Sequence, residues 1–140
     1  MLRRLVLVLL LGFTAPVYAG ELDGKGIVCT NEESGNVLGY YFKEGLVERW
    51  SPYGIGTPPL PHSLRKDVQE PYSLHPQHMF WSDSEVHYYL DRKTLILTYF
   101  QSIVSYCRVV DSLTSLHDAL QPELEKIRKE IKEKMKDNKI

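Results

Sequence analysis

From Lys25 to Val110 hydrophobic and polar positions alternate with a period of two, and β-branched and aromatic residues fall between turn signals, the pattern of half-buried strands. Gly26 to Thr30 reads as a first strand and Val37 to Phe42 as a second. Asn31-Glu32-Glu33-Ser34-Gly35-Asn36 forms the turn between them. Lys43-Glu44-Gly45 offers a tight hairpin loop into a third strand, Leu46 to Ser51, because glycine supplies the left-handed backbone such a turn needs. Residues 52 to 62 hold four prolines and two glycines, so no ladder or helix continues through them. The Pro-x-x-Pro match at Pro58 to Pro61 belongs to this loop. Ser63 to Gln77 reads as irregular, with a brief strand around Tyr72 to His75 at most, since Pro71 and Pro76 bracket it. Met79 to Ser82, Glu85 to Leu90, Thr94 to Phe100 and Ser102 to Val110 complete the strands.

In the last strand both faces are apolar, with Ile103, Cys107 and Val109 on one and Val104, Tyr106 and Val110 on the other. Strands of this kind need cover on both sides. Leu113, Leu116, Leu120, Leu124, Ile127, Ile131 and Met135 recur at steps of three or four and trace one stripe on a helix that can supply it. Pro122 is placed at the start of a second helical segment, as proline fits a first turn. The pairs Glu125 with Lys129 and Glu130 with Lys134 support a solvated outer face. The fold class that follows is mainly β, a small antiparallel barrel or sandwich with a C-terminal α-helix.

The amino terminus has a different character. Met1-Leu2-Arg3-Arg4, the apolar run Leu5 to Phe13 and Val17-Tyr18-Ala19 before Gly20 have the three-part layout of a secretory signal. The run is far shorter than the roughly 20 residues a spanning helix needs. The organisation expected is a signal peptide at 1–19, an antiparallel β domain at 20–111 and an amphipathic helical tail at 112–140, in a secreted or periplasmic protein with no stable membrane anchor after cleavage. Removal of Arg3 and Arg4 takes the basic count from 17 to 15 against 18 acidic residues. A nucleic-acid binder would instead show a concentrated basic face, so no nucleic-acid partner is expected. Export also governs the two cysteines, because thiols in an oxidising compartment tend to pair. Cys29 and Cys107 are expected to form a disulfide joining the first strand to the last.

No glycine-rich phosphate loop, Gly-x-Ser-x-Gly turn or His-Glu-x-x-His helix occurs in the mature chain, and no cofactor or enzymatic activity is expected. Glu32-Glu33 and Asp83 with Glu85 are carboxylate pairs of the kind used for acid–base chemistry, but a turn and a strand flank account for them as solvated acids. His75, His78 and His87 form a candidate metal site, since imidazoles three positions apart share an ion if the loop folds back. The aromatic density of the β region makes Trp50, Tyr53, Trp81 and Tyr88 a candidate binding surface. Three functions are therefore weighed: an envelope binding module recognising a protein or small ligand, a structural or assembly protein acting through its tail helix, and a metal-binding protein.

The stretch Glu85-Val86-His87-Tyr88-Tyr89-Leu90-Asp91-Arg92-Lys93-Thr94-Leu95, followed by a late cysteine and a charged tail, resembles short β-rich exported bacterial proteins. In layout the chain is also similar to the small disulfide-bonded β-barrels that inhibit lysozyme in the periplasm. The resemblances imply an exported β domain and transfer no site residue, because fold alone does not fix function.

Overall fold

The alternating pattern is realised as a single pleated wall that closes on itself. The computed structural model describes residues 22–53 and 64–138. The strands are β1 (Gly26–Asn31), β2 (Val37–Lys43), β3 (Leu46–Ser51), β4 (Arg65–Leu74), β5 (His78–Asp83), β6 (Val86–Asp91), β7 (Ile96–Tyr99) and β8 (Ile103–Val110). Helix α1 (Leu113–Met135) follows them. Each strand pairs antiparallel with the next and β8 returns to β1, so the sheet is a closed up-and-down barrel. The predicted signal segment 1–19 and most of the proline-rich loop, from residue 54, lie outside the described residues.

Closure leaves each strand one inner and one outer face. Ile27, Cys29, Tyr40, Phe42, Val47, Tyr72, Met79, Trp81, Tyr88, Leu90 and Leu97 form the inner core. The rings meet obliquely, Phe42 with Tyr72 at 5.2 Å and Tyr40 with Trp81 at 5.3 Å between centroids, spacings at which aromatic pairs attract. Cys29 and Cys107 face each other across the closing seam of β1 and β8 and are bonded. The crosslink therefore joins the two ends of the meander at the one place where they become neighbours.

The tail helix covers the outside of this seam. Ser112 caps it, its hydroxyl accepting from the Ser115 amide at 3.0 Å, and Leu116, Leu120 and Leu124 are buried. Leu116 and Leu120 pack with Val28 and Val110 against β1 and β8. On β2 the close approach depends on Gly39. A Cβ there would lie 2.7 Å from Leu116 Cδ1 and 3.0 Å from Leu120 Cδ1. The two-segment expectation for the tail is corrected: α1 runs unbroken through Pro122. The cost falls on the Asp118 carbonyl, which loses its helical donor, and packing of the leucine stripe on both sides of the proline holds the helix together.

A second correction concerns residues 63–77. In place of an irregular stretch, β4 is a ten-residue strand and the longest of the described set. It pairs with β3 from Arg65 to Pro71 but with β5 only from Tyr72 to Leu74. The Tyr72 amide donates to the Gly45 carbonyl on the β3 side. Successive amides of a strand point to opposite sides, so Pro71 directs its missing donor to the side where no ladder requires it. The polar run Arg-Lys-Asp-Val-Gln-Glu lacks alternation because this half of β4 has one neighbour rather than two.

Candidate functional site

Each residue proposed from sequence has a definite place. Trp81 and Tyr88 point into the barrel, 3% and 5% exposed, and stack there at 5.3 Å with planes 9° apart. Trp50 lies on the outside of β3, its ring 4.4 Å from His117 of α1 and its Nε1 donating to Glu48 at 3.4 Å. Tyr53 accepts from the Val37 amide at 2.8 Å and donates to Glu123 of α1 at 3.2 Å. Burial, with the added charge of Glu123, pushes the Tyr53 hydroxyl up to about 12, against the lowering effect of the Val37 hydrogen bond. The expected surface of Trp50, Tyr53, Trp81 and Tyr88 is thus corrected. Strand parity puts two of the rings in the core, and the other two brace the helix against the barrel.

The three histidines do not converge. His75 and His78 stack at 4.8 Å with planes 15° apart. His87 pairs with Ser82 far along the same hairpin, its Nδ1 2.8 Å from the Ser82 hydroxyl. Among the described residues no group of three His, Cys, Asp or Glu side chains has the geometry to hold a metal ion.

A polar cluster closes the barrel where β4 and β5 part. Arg49 Nε donates to Asp67 at 2.9 Å and Nη1 to the Tyr88 hydroxyl at 3.1 Å, with Asp83 at 3.7 Å. Burial opposes the guanidinium's charge, but the Asp67 hydrogen bond and charge outweigh it and hold Arg49 above its ordinary value. Burial raises the Tyr88 hydroxyl, against the lowering effect of Arg49. One guanidinium thereby ties together four strands. Its partners satisfy one another, and Asp83, a candidate acid on sequence grounds, is spent on this tie. Glu32, likewise, accepts from the Tyr106 hydroxyl at 3.1 Å. At the other end of the barrel a mostly apolar pocket, lined by Leu22, Phe42, Met79 and Leu90 with Lys25 and Arg92, measures about 160 Å³, below the roughly 300–1,000 Å³ of small-molecule sites.

The outer wall of β5 to β7 is different. Strand order sets β5 opposite β1 and so away from the helix. Phe80 and Tyr89, cross-strand partners, are 41% and 47% exposed, and Phe100, just beyond β7, is 60% exposed. Phe80, His75, His78 and Tyr89 stand as a ladder of near-parallel rings, successive centroids 5.2, 4.8 and 5.0 Å apart. Beside it a groove of about 420 Å³ is lined by Glu85, His87, Tyr89, Thr98, Phe100 and Gln101. Phe100 and Gln101 both have left-handed backbone, φ 49° and 62°, a conformation that costs a non-glycine residue about 1–3 kcal/mol.

Sequence reasoning named His75, His78 and His87 for a metal and Glu85 as a solvated acid, but left Phe80, Tyr89 and Phe100 out of the expected surface, although a signal was present. Phe80-Trp81 and Tyr88-Tyr89 are adjacent pairs, so burying Trp81 and Tyr88 forces Phe80 and Tyr89 outward. Compared with known protein families, curated proteins and solved structures, the chain gives no match.

Proposed function

We propose that this chain is an exported, non-catalytic binding module of the cell envelope, recognising a protein or small ligand through the outer wall of β5 to β7. The observation that carries this is the ladder of rings, exposed at His75, Phe80 and Tyr89 and half-buried at His78, on the side of the barrel left bare by the helix. Exposed aromatic surface costs solubility unless a partner uses it, and here the fold had a helix with which to cover it and placed that helix elsewhere. Export is supported by the signal layout of residues 1–19 and by the Cys29 to Cys107 disulfide, a bond that persists in oxidising compartments. No helix among the described residues is long and apolar enough to cross a membrane.

Assembly through α1 is the second reading. Met135 is exposed and Ile127 and Ile131 are half-buried, so part of the stripe is available to another chain. It is weaker, since Leu116, Leu120 and Leu124 are already spent on the protein's own barrel.

Photo-crosslinking in cells separates the two. With a benzophenone side chain replacing Phe80 in the exported chain, a discrete adduct is expected, and the same group at the exposed helical position Gln121 gives none. Adducts from position 121 alone would move the interface to the helix.

A further inference from the structure

The groove beside the aromatic ladder has a composition that names a ligand class, a step that rests on the binding-face reading above. Its walls carry two exposed aromatic residues, Tyr89 and Phe100. The same groove is lined by a carboxylate, an imidazole, a hydroxyl and a carboxamide, from Glu85, His87, Thr98 and Gln101. We propose that this groove binds an uncharged pyranose oligosaccharide. A pyranose has an apolar C–H face and a rim of hydroxyls that both donate and accept. Tyr89 and Phe100 supply the stacking surfaces, and the four polar side chains supply both donors and acceptors.

Other occupants fit less well. The lining holds one carboxylate and no cation, so an anionic ligand meets repulsion without compensation. An extended peptide adding a strand needs a free ladder edge. Here β6 is paired on both sides, with β5 and β7, and β7 with β6 and β8. The volume of about 420 Å³ lies within the range of small-ligand sites.

The backbone supplies an independent pointer. Phe100 occupies a left-handed position while 60% of it remains in solvent. Glycine would suit the hairpin better, and an aromatic side chain so exposed adds little to the core. Phe100 meets the neighbouring Tyr99 ring obliquely, with centroids 6.1 Å apart, and the large part of it left in solvent is available to a stacking ligand. The ring of His87 is also held in place, its Nδ1 engaged by Ser82, which leaves Nε2 as the remaining polar atom.

Isothermal titration of the mature chain with tri-N-acetylchitotriose and with maltotriose tests this. Binding of at least one probe is expected. Phe100→Gly and Tyr89→Ala should each weaken it about tenfold, the scale of one lost aromatic contact. Phe100→Gly should at the same time raise the melting temperature, so that its loss of binding is not a loss of fold. Saturable binding unchanged in both variants would overturn the groove as the site. No heat from either sugar, together with a protein adduct from position 80, would overturn the saccharide and leave the binding face standing. Neither sugar heat nor adduct would overturn both.

Discussion

Tyr53 shows how a single hydroxyl serves two elements. It bridges the Val37 amide at the start of β2 and Glu123 on α1. Tyr53→Phe leaves the half-buried Val37 amide without its partner and is expected to cost about 1 kcal/mol, read from urea midpoints. The sign of the pH dependence follows from the raised value. The unfolded tyrosine loses its proton near 10 while the folded one holds it to about 12. Its contribution is therefore complete below pH 10 and is lost as pH rises through 12. Burial raises Tyr40 further in the same direction. Stability should fall between pH 10 and 12, and Tyr53→Phe should flatten part of that fall; an unchanged alkaline profile would refute the assignment. At this scale sequence revealed which residues are aromatic but not which face each takes. A one-position difference decides between core and surface, as Tyr88 and Tyr89 demonstrate.

Between elements the decisive contact is α1 on β2, and it turns on the absence of a side chain. Gly39 lies directly beneath Leu116 and Leu120. Gly39→Val would force the helix off the barrel, at a cost of about 1–3 kcal/mol. The expected result is a lower urea midpoint with greater exposure of Trp50, whose fluorescence reports on the same interface through His117. An unaltered midpoint would mean that the helix does not bear on β2. The leucine stripe was legible because its period of three and four is strong over many turns. That Pro122 lies inside the helix was not, since local propensity places proline in a first turn and only tertiary packing overrides it. β4 was hidden for the converse reason. Its polar half faces one neighbour and solvent, so it carries no alternation, and Pro71 looks like a breaker until the ladder shows that its missing donor is not needed.

For the whole molecule, sequence indicated a sheet closed by a disulfide but left barrel and sandwich open, because two cysteines on terminal strands meet in either. The register across β1 and β8 decides it. The bond spans 78 positions, and removing it with Cys29→Ala and Cys107→Ala should cost about 4.5 kcal/mol on a chain-entropy basis. That is a large share of the roughly 5–15 kcal/mol available to a domain. Urea unfolding of the oxidised and double-variant proteins measures it, and coincident curves would contradict a stapling role. Closure also has a functional consequence. With the interior filled by rings and one flank under the helix, the outer wall of β5 to β7 is the face that the proposed binding role would use. The most direct measurement is the amide spectrum of ¹⁵N-labelled residues 20–140, recorded while tri-N-acetylchitotriose and then a soluble cell-envelope extract are added. Shifts are expected to concentrate at His75, His78, Phe80, His87, Tyr89 and Phe100, with Leu116 and Leu120 unmoved. Shifts confined to α1, or none at all, would contradict that binding role.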